Sequence, residues 1–304
     1  MSKNTLDKKI KVNTFWNAIY QFLSISIGFY MYPLLVNYLD DISLGVWFTL
    51  MSIASWFLLF DIGISNGLRN KLSELIAEKR FWLSKAYLSS TYFYFALFLI
   101  GILFCISILI YFINIYSVFN VDVNEIYKLK ISVFLVTISI VINLFFSINF
   151  SLSNALQNNS FNKLRNFLYV LITAISLTIL TLKGEGELID LAVLFFISNL
   201  IVNTIMTIRL YSLNPEFTPT FKLISFKLFK RNLRLGLNFF VINVSSVVLF
   251  STDTILISHI LGADYVVSYA ITLKIFMLFL TILWFYTAPL WSNGFVKLYS
   301  NQYL

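Results

Sequence analysis

The run GVWFTLMSIASWFLLFDIGISNGLRNK, residues 45–71, is apolar over about the 20 residues that a bilayer core requires and then meets a carboxylate, Asp61. Asn66 and Arg69 follow, and Arg69 opens a basic segment. Hydrocarbon disfavours charge, so an acid at the end of a spanning helix calls for a reason. Two readings stand. Either Asp61 lies near enough to the interface to be hydrated while Arg69 snorkels, or this end of the helix lines a polar cavity.

The same apolar texture recurs on both sides of this stretch. Hydropathy places eight spans, at 15–37, 45–66, 87–113, 129–153, 166–183, 188–211, 236–261 and 267–290. Of the 304 residues, 59% are hydrophobic and 12% charged, and the mean hydropathy is +0.83. A soluble domain carries about 25% charged residues, so the expected fold class is an all-α polytopic membrane protein. The first apolar run has no small-residue cleavage site and is too long for a signal peptide, so it reads as a retained helix.

A net charge of +8 would suit a nucleic-acid binder, but the positions of the charges say otherwise. Seventeen of the 22 Lys and Arg fall in the tail 1–14, the loops 67–86, 154–165 and 212–235, and the end 291–304. The opposite loops hold only Lys128, Lys130 and Lys183, beside Asp40, Asp41, Asp122, Glu125, Glu185, Glu187 and Asp264. That is the positive-inside pattern; it predicts both termini in the cytoplasm and no nucleic-acid partner. Two basic-side loops have helical composition. The segment from Leu68 spaces Leu72, Leu75, Ile76 and Phe81 as an amphipathic helix along the membrane surface. The segment 212–235 repeats Lys227, Lys230, Arg231 and Arg234 among Leu and Phe, which suits anionic inner-leaflet lipids.

Residues 35–50 can be laid without gaps over 257–272: each is a helix end, an acidic turn, and an aromatic residue (Trp47 or Tyr269) opening the returning helix. This sets the seventh helix where the first sits, which implies six-helix halves related by an axis along the membrane normal. The expected organisation is a cytoplasmic tail 1–14, a six-helix lobe 15–211, a basic amphipathic linker 212–235, and residues 236–304 as two helices and a short tail opening a second lobe.

Asp253 and Lys274 flank the turn between helices seven and eight, ten residues before and eleven after Ala263. At the helical rise both lie about 15 Å below the outer surface, near the midplane. They either neutralise each other as a hairpin clamp, or face a cavity where Lys274 meets an anionic headgroup and Asp253 exchanges a proton or cation. Asn143, Ser147, Ser151 and Asn154 keep three- or four-residue spacing on one face of the fourth helix. That stripe is either interhelical glue or the lining of a route for sugar hydroxyls. One cysteine, Cys105, and one histidine, His259, leave no metal cluster. There is no P-loop, GxGxxG or HExxH, so neither enzymatic activity nor a cofactor or metal is expected.

The basic tail with NTFWNAIYQFLSISIGFYMYPLLVNYL, the turn into GVWFTLMSI, the run FDIGISNGLRNKL with Asp61, Gly63, Asn66 and Arg69, and STDTILISHILGADYVVSYAI together carry a resemblance. They resemble polysaccharide biosynthesis proteins of the O-antigen flippase (Wzx) type, in the multidrug/oligosaccharidyl-lipid/polysaccharide exporter superfamily. The resemblance implies two six-helix lobes around a cavity that opens alternately to each side of the bacterial inner membrane. It implies a substrate of oligosaccharide on undecaprenyl diphosphate, driven by an ion gradient, with other polysaccharide-assembly membrane proteins as partners. Asp61, Asn66, Arg69 and Asp253 are the family-like positions. Members of the group have about twelve helices or more in two lobes; here only the first two helices of the second lobe are expected. The other readings are a cation-coupled small-molecule antiporter of the same superfamily, which would need acidic cavity residues, and a non-functional remnant.

Overall fold

Backbone in hydrocarbon must satisfy its own hydrogen bonds, and a helix does so within one segment. The computed structural model describes residues 3–61, 63–121, 128–277 and 279–280, and among these every regular element is helical. The loop 122–127, with Asp122 and Glu125, and residues 281–304, with the second half of the eighth expected span, lie outside the described residues.

The order is α1 (Lys3–Tyr38), α2 (Asp41–Phe57), a 3-10 turn (Leu58–Asp61), α3 (Ile64–Ala77), α4 (Phe81–Phe112), the short α5 (Ile115–Phe119), α6 (Leu129–Ala155), α7 (Asn159–Thr181) and α8 (Leu188–Leu213). Two 3-10 turns, Pro215–Phe217 and Phe221–Leu223, lead into α9 (Phe226–Leu261), and α10 covers 263–277. The protein is an all-α, multi-pass membrane protein. Among the described residues, five helices are long and apolar enough to cross a bilayer: α1 over Val12–Tyr38, α4, α6, α7 and α8. α2 and the Thr252–Leu261 part of α9 are apolar but shorter.

α6 and α8 form the centre. Their contact faces carry small or amide side chains, Ser132, Ser139, Asn149 and Ser153 on α6 and Ser198, Asn199 and Asn203 on α8, all buried. Small residues let helices approach closely in a medium that offers no hydrophobic drive between them. α1 and α7 run side by side in the same direction. At one end Asn13 Nδ2 donates to the Gln157 carbonyl at 2.7 Å. At the other, the Gly186 N–H donates to the Tyr38 carbonyl at 2.9 Å and Tyr38 Oη to Asp190 at 3.0 Å. The first is the basic end of the bundle and the second the acidic end.

Three features differ from the sequence reading. The second expected span, 45–66, is not one helix: α2 stops at Phe57, and α3 restarts after Gly63, whose φ of 69° lies in the left-handed region that favours glycine. The break admits α9. A Cβ on Gly63 would sit 2.0 Å from the Gly236 carbonyl oxygen, and one on Gly67 2.9 Å from that of Asn232. Second, α3 does not rest its apolar face on lipid. Leu68, Leu72 and Leu75 are fully buried against α4, α6 and α9, and amphipathicity alone cannot tell a protein groove from a membrane surface. Third, the basic segment 226–235 is no separate surface helix but the first turns of α9. Its Asn232 is fully buried and donates to the Ile64 carbonyl at 3.3 Å, while Lys227, Lys230, Arg231 and Arg234 are exposed. At the acidic end the α9–α10 turn packs on α2, where a Cβ on Gly45 would lie 1.7 Å from the Ala263 carbonyl oxygen.

Candidate functional site

α7 organises the polar interior. It begins at Asn159, seven residues ahead of the expected span at 166, so the segment NKLRNFLYV is helical throughout. Asn162, Arg165, Tyr169 and Thr173 then share one face at three- and four-residue spacing.

The lower part of that face opens into a basin of about 520 Å³ at the basic end. It is lined by Asn17 of α1, Arg69 and Ser73 of α3, Asn154 of α6, and Asn159, Asn162 and Lys163 of α7. No carboxylate lines it among the described residues. Arg69 Nε donates only to the neighbouring Asn70 side chain, at 3.4 Å, and Lys163 Nζ donates to Gln21 at 2.7 Å. Neither cation is in an ion pair among the described residues. Asn162 donates to Asn154 at 2.6 Å, while the side-chain oxygens of Asn17 and Asn162 are buried without partners. Amide groups held in this way are ready acceptors for ligand hydroxyls, because an unmade buried hydrogen bond is costly.

One turn deeper, the Arg165 guanidinium lies between α6, α7 and α8. Its Nη1 donates to Asn143 at 3.1 Å and to Asn203 at 3.0 Å, it sits 4.0 Å above the centre of the Phe150 ring, and its Nε is buried without a partner. No carboxylate neutralises it among the described residues. Asn203 donates in turn to the backbone and side chain of Asn199, which donates to Ser139. Amide dipoles and an aromatic face thus solvate a cation where a counter-ion would be expected.

Above Arg165, Tyr169 and Thr173 face a second cavity, of about 360 Å³, between α1, α2, α7 and α8, closed by Thr254 of α9 and by Ala270, Leu273 and Lys274 of α10. Its walls are aromatic: Trp47 and Tyr169 each meet Phe195 edge-on at 5.9 Å, and Tyr32 lies 6.0 Å from Phe48. Among the described residues Lys274 is the one charged group lining it. Seven residues of α7, about 10 Å of helix, separate Asn162 in the basin from Tyr169 in this cavity.

The predicted site residues divide accordingly. Arg69 lines the basin and Lys274 the upper cavity. Asn143 holds Arg165. Ser147 bonds Ser65 across the α3–α6 contact at 2.7 Å, and Ser151 donates to the Ser65 carbonyl at 2.7 Å, so of that stripe only Asn154 reaches a cavity. Asp61 turns onto the start of α3, accepting from Ser65 Oγ at 2.7 Å and from Ser65 N at 3.2 Å, and lines neither cavity. Asn66 is half-buried in the first turn of α3, outside both linings. Asp253 is exposed and accepts from Tyr269 Oη at 2.7 Å; it makes no ion pair with Lys274. Matched depth did not bring the two together, because Thr254, not Asp253, turns toward the cavity. Lys163, Arg165, Asn17 and Asn162 were missed. The signal was the polar run NSFNKLRN, which a hydropathy boundary at 166 assigns to a loop.

The fold and these cavities define a multi-pass membrane protein whose described residues form cationic chambers without carboxylates at two depths of one helical bundle. The chain belongs to the polysaccharide biosynthesis protein family, which matches it over residues 10–292. No curated protein and no solved structure matches the chain.

Proposed function

We propose that the protein is a flippase for oligosaccharide carried on undecaprenyl diphosphate, moving it from the cytoplasmic to the periplasmic leaflet of a bacterial inner membrane by alternating access. The carrying observation is the series Arg69 and Lys163, Arg165, and Lys274, with no carboxylate in either cavity wall among the described residues. A diphosphate must shed water to cross, and charge-assisted hydrogen bonds from fixed cations replace part of that hydration. The basin amides suit sugar hydroxyls, the aromatic walls above suit sugar faces, and the polyprenyl tail stays in lipid. On this reading the basic end is cytoplasmic, other polysaccharide-assembly membrane proteins are its partners, and the protein is a transporter, not an enzyme. A cation-coupled drug antiporter fits less well, since Asp61 and Asp253 both lie outside the cavity linings.

The test is periplasmic exposure of the lipid-linked oligosaccharide in cells lacking the cognate gene and expressing residues 1–304. Wild type restores exposure. Arg69→Ala/Lys163→Ala lowers it by about 100-fold, the loss of two charge-assisted hydrogen bonds, with protein abundance unchanged. Full exposure with the double variant would sink the proposal.

A further inference from the structure

A third cavity, of about 240 Å³, lies on a different wall of the bundle and shares no lining residue with the two polar ones. Tyr92, Phe93 and Ala96 of α4, Phe145 of α6, and Phe221 and Ile224 of the α8–α9 connection form its sides. Its polar groups are already used. Ser89 Oγ accepts from the Thr220 N–H at 2.9 Å, and Tyr92 Oη is hydrogen-bonded to Asn149 and Tyr211. What remains is an apolar slot opening beside the exposed Phe93 and Leu97 of α4, a candidate membrane span, and the exposed Phe221 of the connection. A hydrocarbon chain fits such walls; a polar solute does not.

The charge around the slot says which hydrocarbon. Lys222 follows Phe221 directly, and Lys227, Lys230, Arg231 and Arg234 are exposed on the turns after it. Glu216 is the one carboxylate in 212–235, and none of these five cations is in an ion pair among the described residues. An apolar slot beside Lys222, with further exposed cations on the turns that follow, matches a lipid with an apolar chain and an anionic head. We propose that this slot binds one acyl chain of an anionic phospholipid of the phosphatidylglycerol type, with its phosphate held by the cations of the connection, Lys222 foremost. The connection is pinned to α4 by Thr220, Ser225 and Leu223 on Ser89 and Ser90. A lipid seated there braces the segment that joins α8 to α9.

Native mass spectrometry of the full chain, released from bilayers of equal phosphatidylglycerol and phosphatidylcholine, reads retained lipid directly and needs no transport substrate. Its result is therefore separate from the fate of the flippase reading. Wild type retains phosphatidylglycerol over phosphatidylcholine. Ala96→Trp fills the slot and abolishes retention. Lys222→Gln/Lys227→Gln touches only exposed side chains and lowers the preference by at least about fivefold, the effect of one cation near an anionic head; it carries the test if Ala96→Trp does not fold. Retention in Ala96→Trp equal to wild type, or a preference unmoved by the double variant, overturns the assignment. So does displacement of phosphatidylglycerol by polyprenyl phosphate at equal mole fraction.

Discussion

The basin and the upper cavity lie about 10 Å apart along α7, yet they are built differently. Every wall of the basin comes from α1, α3, α6 and α7, and side-chain hydrogen bonds tie it together. The upper cavity has walls from α1, α2, α7 and α8 on one side and α9 and α10 on the other, joined where Gly45 meets Ala263 backbone to backbone. A relative movement of α10 would reshape the upper cavity and leave the basin as it is. In a rocking mechanism the basin is then a fixed station and the upper cavity the part that changes. The severest way to break this contrast is Gly45→Val. Its Cβ meets backbone that cannot rotate away, so the seam parts at a cost of about 3 kcal/mol, the upper end of overpacking effects. The thermal midpoint should fall, and a thiol probe on a cysteine at Lys274 should react faster while one at Asn159 is unchanged. Equal changes at both positions would mean that the two cavities are mechanically one.

Arg165 sits between the two chambers and belongs to the rigid one. Arg165→Leu strands the side-chain oxygens of Asn143 and Asn203, a cost of 1–3 kcal/mol for such groups that is partly offset because a buried cation no longer has to be desolvated; the net loss should be about 2 kcal/mol. Both amides are served by one nitrogen, Nη1, so Arg165→Lys, which keeps the charge and three donors but loses the planar stack on Phe150, should recover part of that loss. Thermal unfolding in detergent checks the order Leu below Lys below wild type. If Leu proved as stable as wild type, the guanidinium would have no structural part, and its whole role would lie in transport.

Much of this was legible in the sequence. Apolar runs long enough for a bilayer announced the helices, and the lopsided Lys and Arg marked the two ends. The break at 58–63 was not legible, because LLFDIG is as apolar as the helix before it and only the close approach of Gly236 makes Gly63 adopt its left-handed turn. Arg165 was hidden for a related reason. Hydropathy averages over a window and places a cation outside the span, whereas two amides and a phenyl ring let it sit inside. Lys274 stands out as a lone charge in an apolar run and Arg69 as the cation that follows Asp61 and Asn66 at the end of one, but which cavity each lines depends on neighbours far away in the chain.

The smallest effect concerns Lys274 and Asp253, where sequence favoured no outcome between a clamp and a cavity pair. If they neutralised each other, removing both would cost less than the sum of the single changes by the worth of an ion pair. With Asp253 held by Tyr269 on an exposed face and Lys274 lining the cavity, the two act apart. Sites without a shared partner add to within about 0.5 kcal/mol. Lys274→Ala should therefore lower oligosaccharide exposure by about tenfold, the worth of one charge-assisted contact, with abundance unchanged. Asp253→Asn should shift stability only slightly, since its amide oxygen can still accept from Tyr269 Oη, and Tyr269→Phe, which removes that hydrogen bond, should cost somewhat more. The double variant Lys274→Ala/Asp253→Asn should then equal the product of the singles in transport and their sum in stability. A coupling well above that limit would mean that the two meet in another conformation of the seam, and it would move Asp253 from an exposed face into the transport cycle.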